Sequence, residues 1–450
     1  MNSKFNFNKT TLAVCFAISP LSFNVMADTV LSPTQGFDEY NQNQVISHNT
    51  PFLVNANASL VNANANNVND FIAQAARGGA SGSELVVADY MLNFALDNQG
   101  NGSEVSQQLL DLFASVGSSD EAAARLAGEI TPDAEGSEIM ATLLLVDKLR
   151  ANANERIGLL RSGASYGNPS TGWNNWVSFI GGAGDKASQG NVNGYSMNNY
   201  GLNIGFDRAF NDTNMLGFSM AYSKSDIDIK NSQNTKEVES IQTMMYAGWY
   251  NDYMFIDGNV NFGRNMNSTE RVIGASSGYQ GETNATASYD AYNFGIQYTM
   301  GAMFDLNYFM IEPKVSYKYQ WYRHTDYQET GSPASLRYDR QQYSISQLGA
   351  GVNLHQSYST TLGLLTPTFS MMYYADLNDE RVRESANLVA DDSKSRFVIV
   401  GNQVGGDMLE TRLNAQLQMS QAWSMTGGVN YYQVDDYKDV SVALSALYRF

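Results

Sequence analysis

The C-terminal three-fifths of the chain is built on a period of two. In its last stretch Val440, Val442, Leu444, Ala446, Tyr448 and Phe450 alternate with Ser441, Ala443, Ser445, Leu447 and Arg449, so one face of a strand is apolar and the other is not. Eleven further segments from residue 173 onward read as strands, at 173–182, 196–209, 214–229, 236–250, 252–268, 286–301, 306–323, 337–356, 362–379, 406–419 and 422–435, with the last at 439–450. Tyr292, Phe294, Ile296, Tyr298 and Met300 face one way and Asn293, Gly295, Gln297 and Thr299 the other. Ile256, Val260 and Phe262 oppose Asp257, Asn259 and Asn261 in the same manner. A face of Asn, Gln and Asp suits a wet lumen and not the core of a sandwich.

The connections alternate as well. Residues 210–213, 251, 302–305 and 421 are tight, whereas 183–195, 269–285, 324–336 and 380–405 are long, polar and rich in Gly, Ser and Asn. Together these features predict an all-β transmembrane barrel of about 12 antiparallel strands over 166–450, with short turns at one rim and long loops at the other. Trp176, Trp249, Tyr250, Trp321, Tyr322, Trp423, Tyr431 and Tyr448 are candidates for its aromatic girdles. Pro313 and Pro367 fit a sheet with no free edge only near strand beginnings.

Upstream the period changes to that of a helix. Residues 136–161 predict a helix about 36 Å long, apolar at Ile139, Met140, Leu143, Leu144 and Leu145, then charged at Asp147, Lys148, Arg150, Glu155, Arg156 and Arg161. Such charges exclude a lipid-facing span but suit a polar lumen. The last strand ends at the short-turn rim, and with an even strand count the first begins there. The helix before it therefore either stays on that side or threads the pore, and 136–165 forms the linker and hinge. Residues 83–135 predict a small helical segment of two or three helices, separated at Gly100–Gly102 and Gly117–Ser119. Residues 28–82 are Asn-rich and too poor in apolar side chains for a core of their own, with a short helix expected over 68–76. Residues 1–27 read as a secretory signal: Lys4 and Lys9, an apolar stretch from Thr11, and a small-residue cleavage site ending at Ala27.

Composition narrows the function. The net charge of −18 argues against nucleic acid or an anionic membrane surface as partner, and 28–165 is the denser acidic part. Cys15, inside the signal, is the only cysteine, so the mature chain has no disulfide or thiol chemistry. His48, His324 and His355 are scattered, in the Asn-rich segment, a long loop and a short turn. Asp226 and Asp228 solvate one strand face. Gly163–Gly167 matches G-x-S-x-G but follows a helix and precedes a strand, the reverse of a nucleophile elbow. No enzymatic set, metal site or cofactor site follows.

Several motifs resemble one family. Ala122–Glu129, Ile311–Tyr317 with Glu329-Thr-Gly331 after it, and Leu365–Phe369 are similar to segments of monomeric autotransporters. Leu444, Ala446, Tyr448 and Phe450 resemble the terminal signature that the barrel-assembly machinery reads in outer-membrane barrels. The resemblance implies a monomeric translocator of the Gram-negative outer membrane, handled by the general secretion machinery, periplasmic chaperones and barrel assembly. It would export a short N-terminal passenger, with outer-membrane lipid as its surroundings. In the self-cleaving branch a linker asparagine attacks its own carbonyl, and the matching position here is Ala151. Cleavage would have to move to Asn152 or Asn154, so an uncleaved protein is expected. A porin-like barrel with periplasmic N-terminal helices is the alternative.

Overall fold

A computed structural model describes residues 44–47, 70–161, 172–190, 192–211, 213–281, 284–393 and 395–449. The signal with Ala27, the hinge at 162–171 and Phe450 lie outside the described residues, as does His48.

Twelve long strands form a closed antiparallel barrel. They are β1 (Asn174–Lys186), β2 (Tyr195–Asn211), β3 (Asn214–Ile229), β4 (Thr235–Tyr250), β5 (Met254–Val272) and β6 (Asn284–Ala302). The remainder are β7 (Met310–His324), β8 (Gln342–His355), β9 (Gly363–Asp376), β10 (Met408–Gln418), β11 (Trp423–Val434) and β12 (Tyr437–Arg449). Each pairs with its sequence neighbour, and β12 returns to β1 with Val442 opposite Gly181. Closure leaves no long edge, which a sheet surrounded by hydrocarbon requires. The pleat then sorts side chains: Phe179, Ile204, Phe218, Phe262, Tyr298, Leu348 and Leu413 lie exposed outside. Ser178, Asn203, Gln242, Asn265, Asn293 and Gln320 are buried inside. No described helix is long and apolar enough to cross a membrane.

The prolines sit where a ladder has stopped. Pro313 falls between the Gly301–Lys314 and Phe304–Ile311 pairings, and Pro367 one residue beyond the His355–Thr368 end of the β8–β9 ladder. On its other flank each proline lies within a continuous ladder, Pro313 opposite Val352 and Pro367 opposite Ala415. Two girdle candidates are corrected. Trp176 and Tyr322 point inward and are 5% and 2% exposed. Trp176 crosses Gly205, where a Cβ would lie 2.4 Å from the indole ring. Trp249 and Trp423 face outward as expected.

At the short-turn end, residues 251–253 and 419–422 close tight hairpins, and the connections 303–309 and 356–362 are longer. The opposite rim carries 187–194, 273–283, 325–341 and 377–407, although 230–234 and 435–436 are short there too. The long loops are not irregular. Tyr327–Gln328, Leu336–Tyr338, Arg381–Leu388 and Phe397–Gln403 form a second sheet, with Gln44–Ser47 added parallel to Phe397–Val400. This corrects the reading of 324–336 and 380–405 as polar loops. His324 and His355 are also the last residues of β7 and β8, not loop or turn residues.

Four helices cover that sheet: α1 (Phe71–Arg77), α2 (Gly82–Asn98), α3 (Glu104–Ala114) and α4 (Asp120–Ile130). Ser81 and Glu84 cap α2 reciprocally, and the Ser103 and Ser119 side chains cap α3 and α4. Gly102, at φ +69°, makes the left-handed turn between α2 and α3. The helices do not stand apart from the barrel. Phe71, Val87, Met91, Leu109 and Leu126 share one buried cluster with Leu336, Val382, Leu388, Phe397 and Ile399 of the loops. The Tyr90 hydroxyl ties α2 to the loops, donating to Asp391 at 2.6 Å and accepting from the Leu388 amide at 3.2 Å.

Ile399→Asp tests this shared core, because a buried carboxylate costs several kcal/mol. Limited proteolysis should then cut within 70–136 while the barrel keeps its heat-modifiable band. Unchanged protection of the helices would contradict a common core.

Candidate functional site: the helix in the lumen

The lumen is filled by α5 (Ser137–Arg161). At 25 residues it is long enough, at about 1.5 Å per residue, to run the depth of a bilayer core. It starts at the long-loop rim, where Lys236 meets Glu135 at 2.5 Å and Glu138 at 2.9 Å. It ends at the short-turn rim, where Arg161 meets Asp257 of β5.

Apolar residues set its position. Met140, Ala141 and Leu144 pack on Tyr195, Met197 and Ile227, and Leu149, Ala153 and Ile157 on Trp176, Met215 and Met244. Gly248 leaves room for Ile157, which would lie 2.2 Å from an added Cβ. The charged residues are then paired one by one with strands around the barrel. Lys148 reaches Asp439 at 2.9 Å and Asn199 at 2.8 Å. Asp147 accepts from Lys318 at 3.0 Å and Arg150 at 3.2 Å. Arg150 also donates to Gln320 at 3.0 Å and Asn261 at 3.2 Å.

Lower down, Arg156 grips Asp207 at 2.9 and 3.1 Å. Asp207 is fixed in turn by Tyr246 at 3.0 Å and Asn174 at 2.7 Å, and the Trp176 indole donates to the Tyr246 hydroxyl at 3.0 Å. Arg161 is shared between Asp257 at 2.8 Å and Glu312 at 3.4 Å, with its guanidinium 3.8 Å above the Phe255 ring. The paired carboxylates and cations are withdrawn from solvent. Removing one member therefore strands an uncompensated charge, which costs far more than losing a surface bridge.

The residues singled out in the sequence are placed as follows. The Asn152 side-chain amide donates to Ser178 at 3.1 Å, and Asn154 is half-buried beside a cavity of about 60 Å³. The Ala151 carbonyl accepts from Arg412 at 3.2 Å. All three lie inside a continuous helix. Leu444, Ala446 and Tyr448 are on the outer face of β12, where Tyr448 packs on Trp423 with ring centroids 4.8 Å apart. His355 sits in the lumen, 3.3 Å from Glu312. Glu329 is held by Arg271 at 2.7 and 3.0 Å, and Gly331 after it has φ +96°. Asp226 is 3.7 Å from Lys224 on β3.

The wall partners Asp207, Asp257, Glu312, Lys318, Arg412 and Asp439 were not anticipated as functional. Their signal was present: charged residues at inward parity in strands whose other inward positions are Ser, Asn and Gln. Among the described residues no group of three His, Cys, Asp or Glu is arranged to hold a metal.

A closed twelve-stranded barrel with an apolar outside, a polar wall and a helix ion-paired through its lumen belongs to the outer-membrane translocator class. Residues 175–430 match the Autotransporter beta-domain family, and the chain belongs to that family. Its barrel accordingly resides in the outer membrane of a Gram-negative cell. The chain is similar to outer membrane protein A of Rickettsia rickettsii, at 27% identity over 265 residues, 53% of this chain but 12% of that protein. It thus spans only a small part of that relative. Its fold is similar to that of the translocator domain of the autotransporter NalP from Neisseria meningitidis, at 16% identity with a TM-score of 0.52. That likeness covers 68% of this chain and 98% of the other.

Arg161→Ala leaves Asp257 and Glu312 without their shared cation and should cost about 3–5 kcal/mol. The heat-modification midpoint of the barrel in detergent should fall, and Asp257→Asn with Glu312→Gln in the same chain should recover much of the loss. No recovery would mean that the arginine acts by packing.

Proposed function

We propose that this chain is an autotransporter translocator that exports its own N-terminal segment and keeps it displayed on the cell surface. The observation that carries the reading is the direction of α5. Its N-terminal end is at the long-loop rim, and its C-terminal end is at the short-turn rim, which outer-membrane barrels keep in the periplasm. On this reading helices α1–α4 are an exported lid seated on the loops, and the Asn-rich residues before them are the displayed end.

The linker stays uncut. Asparagine chemistry needs a free side-chain amide aimed at a backbone carbonyl, whereas the Asn152 amide is committed to Ser178 and Asn154 lies within regular helix. Ala151, hydrogen-bonded through its carbonyl, has no side-chain nitrogen to attack with. Secretion begins with signal cleavage after Ala27. Periplasmic chaperones then deliver the chain to the barrel-assembly machinery, which reads Leu444, Ala446, Tyr448 and Phe450. The barrel acts as a monomer and as a carrier, without an enzymatic step.

An epitope tag after Thr34 should be reached by antibody on intact cells, on a chain of full mature mass. A tagged fragment in the medium would overturn the uncut linker. A tag reached only after permeabilisation would overturn export and leave a porin-like barrel with periplasmic helices.

A further inference from the structure

Where α5 begins, a cavity of about 40 Å³ lies between the helix and the loops. Five tyrosines line it, Tyr289, Tyr322, Tyr327, Tyr338 and Tyr343, together with His324 and Glu384. His324 is 5% exposed, and its Nδ1 lies 2.9 Å from the Thr325 carbonyl. A carbonyl only accepts, so Nδ1 carries the proton and Nε2 is a bare acceptor. Neither Nε2 nor Oε2 of Glu384 has a protein partner among the described residues. Nε2 calls for a donor, and Oε2 does so once the Glu384 carboxyl is ionised.

The charge balance points the same way. Lys236 serves both Glu135 and Glu138, and Arg271 is committed to Glu329. Glu384, facing Glu138 and Glu135 from the linker and Lys236 from β4, is left without a counter-charge of its own. Burial, followed by the nearby Glu138 carboxylate, pushes its carboxyl up to about 8, with Lys236 opposing. The other titratable groups on the cavity wall are His324, the five tyrosines, Asp133, Glu270 and the paired Arg271 and Glu329, with Lys236 lining it as well. A metal ion would need a cluster of oxygen ligands that the described residues do not form. Aromatic rings instead favour an organic cation. A water needs roughly 10–15 Å³ of such space, so the cavity takes about three heavy atoms.

We propose that this cavity binds the ammonium head of a small amine, its N–H groups donating to Glu384 Oε2 and His324 Nε2 and its charge lying against the tyrosine rings.

The test is calorimetric titration of the full chain in detergent micelles with ethylammonium chloride at constant ionic strength, with ethanol as the uncharged control. Saturable binding of ethylammonium and not ethanol is expected. It should be about tenfold tighter at pH 9 than at pH 7, because the cation needs the ionised carboxylate while an alkylammonium stays charged throughout. Glu384→Gln and, independently, His324→Leu should each weaken it about tenfold in barrels that remain heat-modifiable. Equal heats from ethanol, no saturation, or unchanged affinity in both variants would overturn the site. Nα-acetyl-lysine methylamide separates two sources of the same head. If it binds as ethylammonium does, a lysine side chain is accepted, and if only ethylammonium binds, the ligand is a free amine.

Discussion

Everything in this molecule depends on closing the backbone of a sheet inside lipid. With no water to satisfy an open edge, the twelve strands must return on themselves, and the pairing of β12 with β1 meets that requirement. Closure with an apolar outside forces the other face of every strand into one lumen. That lumen is wide and must be filled by water or by chain. Here it is filled by a helix whose charges are answered from the wall, so that Asp207, Asp257, Glu312 and Asp439 are each matched to a cation of α5.

This arrangement gives the helix two properties that are hard to combine. It can be polar enough to pass a wet channel, and it is held once there, because withdrawal would strand several buried charges at once. Apolar contacts place it in depth and the ion pairs fix its rotation. At the outer rim the same logic changes medium. Beyond the lumen α1–α4 bury Phe71, Met91 and Leu126 against Ile399 and Leu388, so hydrophobic contact takes over from charge. The translocator and the segment ahead of it thereby become one packed object.

Much of this was legible beforehand, for definite reasons. A period of two over ten or more residues is a strong signal, and all twelve barrel strands follow from it. The second sheet was hidden because its strands are short, embedded in Asn, Asp and Ser, and paired across long sequence separations, as Gln44–Ser47 with Phe397–Val400. Trp176 was misread as a girdle residue although it shares its parity with the lumen-facing Ser178. Residue type was weighed above position there. The charged positions of α5 were plain, but their partners were not, since register across twelve strands decides that Arg156 meets Asp207 and Arg161 meets Asp257.

The central claim is that α5 closes the lumen. Single-channel conductance in planar bilayers measures that directly, comparing the full chain with one lacking 70–161. The account predicts small or no conductance from the full chain and large, steady openings from the barrel alone. Equal, large conductance from both would mean that the helix does not occupy the pore.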